Sequence, residues 1–188
     1  MHKLRPVNYP ICFCIVFCFV LFSCKNAEDK SDTKVAENVM APDFELMTLN
    51  GEKRSLADYK GKTVLLNFWA TWCPPCLAEL PSLSAIAKKY KEQGLKVVAI
   101  SCDSPDQLEK IKKMNQENGY EFEILLDPQI SAPNKYGVTG FPESFFIGHK
   151  GQYLDFNDPE SKQKVQRIIS EREWDSAAVE KSIEEILN

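Results

Sequence analysis

The pattern of apolar and polar positions becomes regular at residue 41, and it predicts strands that are separated by helices. Thr63–Trp69 and residues 96–101 are almost entirely apolar, which is typical of strands buried on both faces of a parallel sheet. Residues 122–126 and 144–147 are predicted as two further strands. The alternation of strands with helices indicates a mixed α/β sandwich.

Three helices are predicted between and after these strands. Residues 74–93 form the first, which ends at Gly94, and residues 105–118 form the second, which ends at Gly119. Glycine is favoured just past a helix end because it adopts the left-handed conformation without strain. Residues 175–187 are amphipathic and are predicted as the last helix.

Two hairpins are expected at the margins of the domain. The Asn50-Gly51 pair follows residues 44–49 and predicts a tight turn. Residues 149–151 predict the turn of a closing hairpin, which joins the strand at 144–147 to a segment within residues 152–170.

The first 24 residues have the composition of an export signal. Lys3 and Arg5 give a positive start, and an apolar run of twelve residues follows. At about 1.5 Å per residue this run spans roughly 18 Å, short of the roughly 30 Å of a bilayer core. The run ends at Leu21-Phe22-Ser23-Cys24, which resembles a bacterial lipobox, so we expect residues 1–23 to be removed and Cys24 to be lipidated. An uncleaved short anchor and ordinary cleavage remain as alternatives, and all three interpretations export the domain.

Composition and charge fit an exported globular domain on a tether. Hydrophobic residues make up 44% of the chain and charged residues 27%, which excludes a wholly disordered or fibrous protein. The net charge is −4, or about −6 without residues 1–23, and no long basic run occurs, so nucleic-acid binding is not expected. Residues 24–40 are predicted as a flexible tether with a reach of roughly 20–24 Å. The domain then covers residues 41–188.

Candidate chemistry is concentrated at the Trp72-Cys-Pro-Pro-Cys76 motif, where a buried strand gives way to a helix. Cys73 is predicted at the N-cap, where the helix dipole lowers the pKa of a thiol and makes its thiolate a nucleophile. Cys76 is expected one turn further on, facing the core and able to close a disulfide with Cys73. We expect one exposed attacking sulfur and one shielded resolving sulfur, as dithiol–disulfide exchange requires. C-x2-C also begins zinc ribbons, but only Cys102, His149 and carboxylates remain as further ligands, without ligand spacing.

Two further features favour redox chemistry. Gly140-Phe141-Pro142-Glu143 precedes a predicted strand, and before proline a cis peptide bond costs only about 0.5–1 kcal/mol. A cis Phe141–Pro142 turn would leave an exposed edge for the backbone of a substrate cysteine, whereas a trans bond would make it an ordinary turn. Glu79 follows Cys76 by one turn on the same helix face and is a candidate to accept its proton. The alternative is that Glu79 is a solvated surface acid.

Asn67-Phe-Trp-Ala-Thr-Trp-Cys-Pro-Pro-Cys76, Glu79, Pro81 and Gly140-Phe-Pro-Glu143 together resemble the thioredoxin superfamily. The resemblance is greatest to the TlpA/ResA-like thiol–disulfide oxidoreductases of redoxin (AhpC/TSA) type, which bacteria export and which include the cytochrome c maturation reductases. It covers about residues 41–187. The resemblance implies a thioredoxin-like α/β fold, with a central mixed β-sheet flanked by helices and an N-terminal β-hairpin extension.

The resemblance also implies a role for each site residue. Cys73 is expected to be the nucleophile and Cys76 the resolving thiol, which together form the redox-active disulfide. Glu79 is expected to be the active-site glutamate and Pro142 the cis-proline. The expected substrate contacts are Trp72, Gly140, Phe141 and Pro142.

The partners implied by the resemblance are protein thiols and disulfides, an upstream membrane electron donor and the membrane itself through the lipid anchor. We expect a monomer on the extracytoplasmic (periplasmic) side, with no cofactor and no metal. Asn67 departs from cytosolic thioredoxins, which carry a buried Asp there, and this excludes a proton relay through that side chain. Residues 154–164 look like an insertion in the closing hairpin. Cys102 is expected to be a packed free thiol and His149 a turn residue.

Three classes of function fit at least part of the sequence. A tethered reductase or exchanger of protein disulfides fits all of these features. A peroxidase of the peroxiredoxin kind needs a Thr three residues before the attacking cysteine, where this chain has Ala70. A non-catalytic module that carries a metal such as copper is disfavoured by the x2 spacing and by the location of His149.

Overall fold

The computed structural model describes residues 39–188, so the predicted signal sequence, Cys24 and most of the predicted tether lie outside the described residues. The strands are β1 Glu45–Thr48, β2 Lys53–Ser55, β3 Thr63–Trp69, β4 Leu95–Ser101, β5 Glu123–Leu126, β6 Glu143–Ile147, β7 Phe156–Asp158, β8 Gln163–Val165 and β9 Ile168–Ile169. The α-helices are α1 Pro74–Lys89, α2 Leu108–Asn118, α3 Ser131–Tyr136 and α4 Ala177–Leu187.

Seven of these strands form one mixed sheet in the order β2-β1-β5-β4-β3-β6-β9. The β3–β4 and β4–β5 pairs are parallel, and β6 pairs antiparallel with β3. Successive side chains of β3 enter two different cores: Leu65 packs with residues of α1 and α4, and Leu66 packs with residues of α3. The prediction of a central mixed sheet flanked by helices is confirmed, because an apolar strand such as β3 is covered on both faces.

The predicted helices are present but differ at their ends. Gly94 and Gly119 have the left-handed backbone expected past a helix end, with φ of 92° and 59°. The first helix stops at Lys89, and a short 3-10 turn at Lys91–Gln93 leads to Gly94. A similar turn precedes α2. Helix α3 was not predicted, because six residues are too few to show a helical period.

The N-terminal hairpin forms as predicted, with Gly51 at a φ of 80° between β1 and β2. The last two residues of the predicted tether instead join the domain. The Tyr153 N–H donates to the Val39 carbonyl at 2.9 Å, and Met40 pairs with Gln152. The boundary predicted after residue 40 is therefore placed too late.

The closing region is more elaborate than a simple hairpin. β6 pairs with β9, where Ser144 lies opposite Ile168. Between them, β7 and β8 form a separate two-stranded sheet that contains most of the predicted insertion. Phe156 of β7 stacks on Phe146 of β6 with ring centroids 5.2 Å apart, so the insertion is packed on the domain. Within residues 39–188, no helix has the length and apolar character needed to cross a membrane.

Candidate active site

Cys73 and Cys76 form a disulfide at the start of α1. Cys73 is the N-cap, and Pro74 and Pro75 occupy the first helical positions, where their missing N–H groups would have no partner within the helix. The Cys76 N–H donates to Cys73 Sγ at 3.2 Å. The predicted N-cap position of Cys73 is confirmed, and the first turn directs one backbone donor at its sulfur.

Cys73 is less exposed than predicted. Only 4% of Cys73 and none of Cys76 is accessible to solvent, and both belong to the apolar cluster beneath α1. The expected contrast between an exposed and a shielded sulfur is therefore wrong for the disulfide form, in which both cysteines are buried. The neighbouring Trp72 remains 65% exposed and marks the accessible side of the motif.

The loop that carries Pro142 lies beside this motif. The Phe141–Pro142 peptide bond is cis, as predicted. The rings of Phe141 and Trp72 are 5.8 Å apart, which brings the loop to the exposed side of the disulfide. The structure thus brings together the residues predicted to contact a substrate, although they are separated by about seventy positions in the chain.

Glu143 holds the loop in place, and sequence reasoning did not assign it this role. Its buried carboxylate accepts hydrogen bonds from the N–H groups of Thr139 and Gly140, both at 3.1 Å. Arg167 Nη2 donates to the same carboxylate at 2.7 Å. Burial opposes ionisation, but the hydrogen bonds from Arg167 and the loop outweigh it and lower the pKa of Glu143 below its ordinary value. Arg167 lies 24 residues away, so no local signal could reveal the pair.

Glu79 is buried, which excludes the interpretation as a solvated surface acid. It is only 2% exposed and follows Cys76 by one turn of α1. Its Oε2 accepts hydrogen bonds from the Arg172 N–H at 3.1 Å and from Trp174 Nε1 at 3.0 Å. Burial raises the pKa of Glu79 to about 7, although the hydrogen bonds from Asn67, Arg172 and Trp174 favour the ionised form.

Asn67 of β3 contacts the other oxygen of Glu79. Asn67 Nδ2 donates to Glu79 Oε1 at 2.7 Å and to Ser144 Oγ at 2.9 Å. Asn67 is fully buried, and among the described residues its Oδ1 accepts no hydrogen bond. Asn67 itself does not titrate, so its role is to orient the Glu79 carboxyl.

Two further candidates have the roles that the sequence predicted. Cys102 is a free, buried thiol, and burial together with Asp127 and Asp103 raises its pKa above the ordinary value, which makes it unreactive. His149 is exposed in a turn, where its carbonyl accepts a hydrogen bond from the Gly61 N–H at 3.0 Å.

Comparison with known proteins agrees with this geometry. Residues 38–153 match the family described as AhpC/TSA. The chain belongs to the AhpC/TSA family. Its curated relatives include thioredoxin-like protein YneN of Bacillus subtilis (strain 168), which is 41% identical over 130 residues, or 68% of this chain and 75% of the relative. They also include thiol-disulfide oxidoreductase ResA of Geobacillus thermodenitrificans (strain NG80-2), 38% identical over 120 residues, or 64% of this chain and 68% of the relative.

A solved structure supports the same assignment for this AhpC/TSA protein. The thiol:disulfide interchange protein of the thioredoxin family from Chlorobium tepidum TLS superposes with a TM-score of 0.64 and 29% sequence identity, over 81% of this chain and 99% of that chain. The resemblance stated from the sequence is confirmed. This AhpC/TSA protein is a thiol–disulfide oxidoreductase with a thioredoxin-like fold.

Proposed function

We propose that the protein is tethered to a membrane on its extracytoplasmic side and reduces disulfides of other proteins through Cys73 and Cys76. The observation that carries the proposal is the position of Cys73. It caps α1, receives a backbone hydrogen bond at its sulfur and lies beside the cis-proline loop. These features supply a nucleophilic sulfur and an adjacent backbone edge for a substrate.

The reaction starts from the dithiol form. The Cys73 thiolate attacks one sulfur of the substrate disulfide, so a mixed disulfide forms and the other substrate sulfur leaves as a thiolate. Cys76 then loses its proton and attacks Cys73 Sγ, which releases the second substrate sulfur. The substrate gains two electrons and two protons and becomes a dithiol, while Cys73 and Cys76 become the disulfide seen in the structure.

Glu79 is the proposed acceptor of the Cys76 proton. It lies one turn from Cys76 on the buried side of α1. A general base works best when its pKa is near the working pH, and burial raises the pKa of Glu79 to about 7. The backbone of Arg172 and the indole of Trp174 stabilise the carboxylate that must accept the proton.

The first turn of α1 favours a reductant over an oxidant. Strong oxidants of this fold owe their strength to a very stable thiolate, with a pKa of about 3.5 in DsbA against about 7 in thioredoxin. Pro74 and Pro75 offer no N–H to Cys73, and no His or Lys lies between the cysteines. The Cys73 thiolate is then stabilised only moderately, and we expect a potential nearer about −270 mV than about −120 mV.

Equilibration with glutathione buffers tests this direction. The ratio of dithiol to disulfide is measured by mass spectrometry after acid quenching and alkylation. A potential above about −160 mV, on the oxidising side of the glutathione-linked range, would replace the reductase with an oxidase or isomerase. Unfolding of both redox forms provides a second check, since a reductant's disulfide should stabilise the folded domain.

The path of the chain supports a tethered arrangement. Ala41 donates its N–H to the Gly151 carbonyl, in the turn that follows β6. The last residue of β6, Ile147, pairs with Val64, so the chain enters the domain near the start of β3. Cys73 follows the other end of β3, a strand of seven residues that spans about 23 Å. A tether that enters the domain at residue 39 would lie near the end of β3 that is opposite the redox motif, which leaves the motif free to face away from the membrane.

Substrates can be identified with a Cys76→Ala variant, which should stall at the mixed disulfide. We include apocytochrome c among the proposed substrates, because the motif from Asn67 to Cys76 resembles that of cytochrome c maturation reductases. The control is Cys73→Ala, which should trap nothing. If both variants capture the same proteins, Cys73 is not the attacking residue.

A further inference from the structure

The inserted hairpin of β7 and β8 carries a buried acid that reaches the segment next to Glu79. Asp158, at the end of β7, is only 3% exposed at its side chain, and Arg172 is 7% exposed. Arg172 Nη2 donates to Asp158 Oδ2 at 3.2 Å. A buried ion pair stabilises a protein only when its geometry offsets the cost of removing both charges from water. Removing one partner leaves the other charge buried without compensation, which is strongly destabilising.

The hairpin is itself fixed to the body of the domain. Phe156 packs against Phe146 and against Trp174. Ser182 of α4 donates its hydroxyl to the Asn157 carbonyl at 2.6 Å. Asp158 also receives the Ser161 N–H at 3.2 Å, which holds its carboxylate within the turn between β7 and β8. The Asp158 carboxylate is therefore held in place when it pairs with the Arg172 side chain.

The backbone of the same arginine contacts Glu79, whereas its side chain contacts the hairpin. Its N–H and the indole of Trp174 two residues later donate to Glu79 Oε2. Ser82 of α1 receives the Trp174 N–H at 3.1 Å and so holds the far end of this short segment. The near end, at Arg172, is held by the side-chain contact with the hairpin and by the Ser82 hydroxyl, which donates to the Arg172 carbonyl at 3.3 Å.

We propose that Asp158 and Arg172 are positioning residues, which hold two hydrogen-bond donors on Glu79 and so set how readily it takes the proton of Cys76. The inference rests on the proposed role of Glu79. It assigns to the insertion at residues 154–164 the function of a brace for the proton acceptor. Among the described residues, neither side chain forms a hydrogen bond or an ion pair with Cys73 or Cys76. Neither is therefore a catalytic residue.

The groups that face Glu79 allow the direction of the effect to be derived. Asn67 and Ser144 are neutral, and Cys76, three positions before Glu79 on α1, does not titrate in the disulfide form. Glu171, Glu173 and Asp175 line a surface cavity of about 390 Å³ that Glu79 borders, and Glu171 raises the pKa of Glu79. If the brace is lost, the donors loosen and the pKa of Glu79 rises. If only charge matters, removal of Asp158 leaves the Arg172 cation paired only with the exposed Glu160, and the pKa of Glu79 falls.

The experiment is a carboxyl titration of the oxidised full chain in detergent, labelled with 13C at the glutamate side chains. The Glu79 signal is assigned by its absence from Glu79→Gln. We expect the midpoint to rise by about one pH unit in Asp158→Ala, the shift that corresponds to one lost hydrogen bond to a charged group. Asp158→Asn keeps an acceptor for Arg172 and should titrate close to wild type.

Glu160→Gln is the matched control. Glu160 Oε2 lies 3.1 Å from Arg172 Nη1, but its side chain is 60% exposed, so its charge is screened and the Glu79 midpoint should not move. An unchanged or lower midpoint in Asp158→Ala overturns the proposal, as does an equal rise in Asp158→Asn. If Asp158→Ala does not fold, Arg172→Lys decides, because one ammonium cannot make the same contacts: a rise supports the brace, and no rise overturns it.

A second readout separates this inference from the proposed function. The pH profile of Cys76 resolution, measured in single turnovers with a peptide disulfide, should move upward in Asp158→Ala together with the Glu79 midpoint. A wild-type protein that does not reduce the peptide refutes the proposed function, while the carboxyl titration still tests the brace. A shifted midpoint with an unshifted resolution profile would refute the link to Cys76.

Discussion

Replacing Glu79 with Gln is expected to stabilise the oxidised protein at pH 8 and to leave its stability almost unchanged at pH 4. Burial raises the pKa of Glu79 from 4.5 to about 7. Between those values the folded protein keeps a proton that the unfolded chain has lost, so the wild-type free energy of unfolding falls as the pH rises. Above pH 7 the carboxyl is ionised in both states, and the loss is complete.

The size of the effect follows from the shift. At about 1.4 kcal/mol per pKa unit, the rise from 4.5 to about 7 corresponds to about 3 kcal/mol. Gln carries no charge and avoids this loss. Its amide oxygen can accept the hydrogen bonds from Arg172 and Trp174, while its amide nitrogen can donate to Asn67 Oδ1 once the Asn67 amide turns over. The gain at pH 8 should therefore approach the full value.

Denaturation with guanidinium chloride at pH 4, 6 and 8, followed by tryptophan fluorescence, measures this difference. Glu143→Gln is the control of opposite sign. Hydrogen bonds lower the pKa of Glu143, so its contribution is present above its unfolded pKa and is lost as the pH falls through its folded pKa. Glu143→Gln should thus destabilise the protein most at pH 8. The reasoning fails if Glu79→Gln is no more stable than wild type at pH 8 and the wild-type stability does not decline between pH 4.5 and 7.

Three further outcomes are expected. Cys24→Ala should leave the membrane fraction or accumulate as precursor on cell fractionation, and unchanged processing and membrane binding would contradict lipidation. In the reduced protein at pH 7, iodoacetamide should alkylate Cys73 at least about tenfold faster than the buried Cys102, as followed by peptide mass spectrometry, and equal rates would contradict the assigned nucleophile. Trp72→Ala should slow reduction of a protein disulfide more than that of oxidised glutathione, because its 65% exposed ring offers contact area to a large substrate; equal slowing would mean that Trp72 acts on Cys73 instead.

Features that depend on neighbouring residues could be predicted from the sequence. The apolar run of β3, the Asn50-Gly51 turn and the glycines after the helices are local signals, and each lies where it was expected. The N-cap position of Cys73 is local too, since it requires only a strand followed by a helix with Pro74 in its first turn.

Features that depend on distant residues could not be predicted. Two of the three donors to Glu79 lie 93 and 95 residues away in the chain, so its burial has no local signal. β9 has only two residues, too few to show alternation, yet it completes the edge of the sheet. The low exposure of Cys73 is that of the closed disulfide, a redox state that the sequence does not specify.

The Asn side chain at position 67 explains how the buried Glu79 can exchange a proton. Its amide nitrogen lies 2.7 Å from Glu79 Oε1, so an Asp in this place would set two carboxyls against each other and couple their ionisation. Asn67 offers a donor to the carboxylate and, after rotation of its amide, an acceptor to the protonated acid. Before the rotation, Asn67 Oδ1 has no hydrogen-bond partner. After it, Asn67 Nδ2 takes the place of Oδ1 and lacks a partner instead, so the number of buried polar atoms without a partner stays the same. Glu79 can thus gain and lose a proton at similar free energy, and the stability lost at neutral pH is the consequence of keeping it ready to do so.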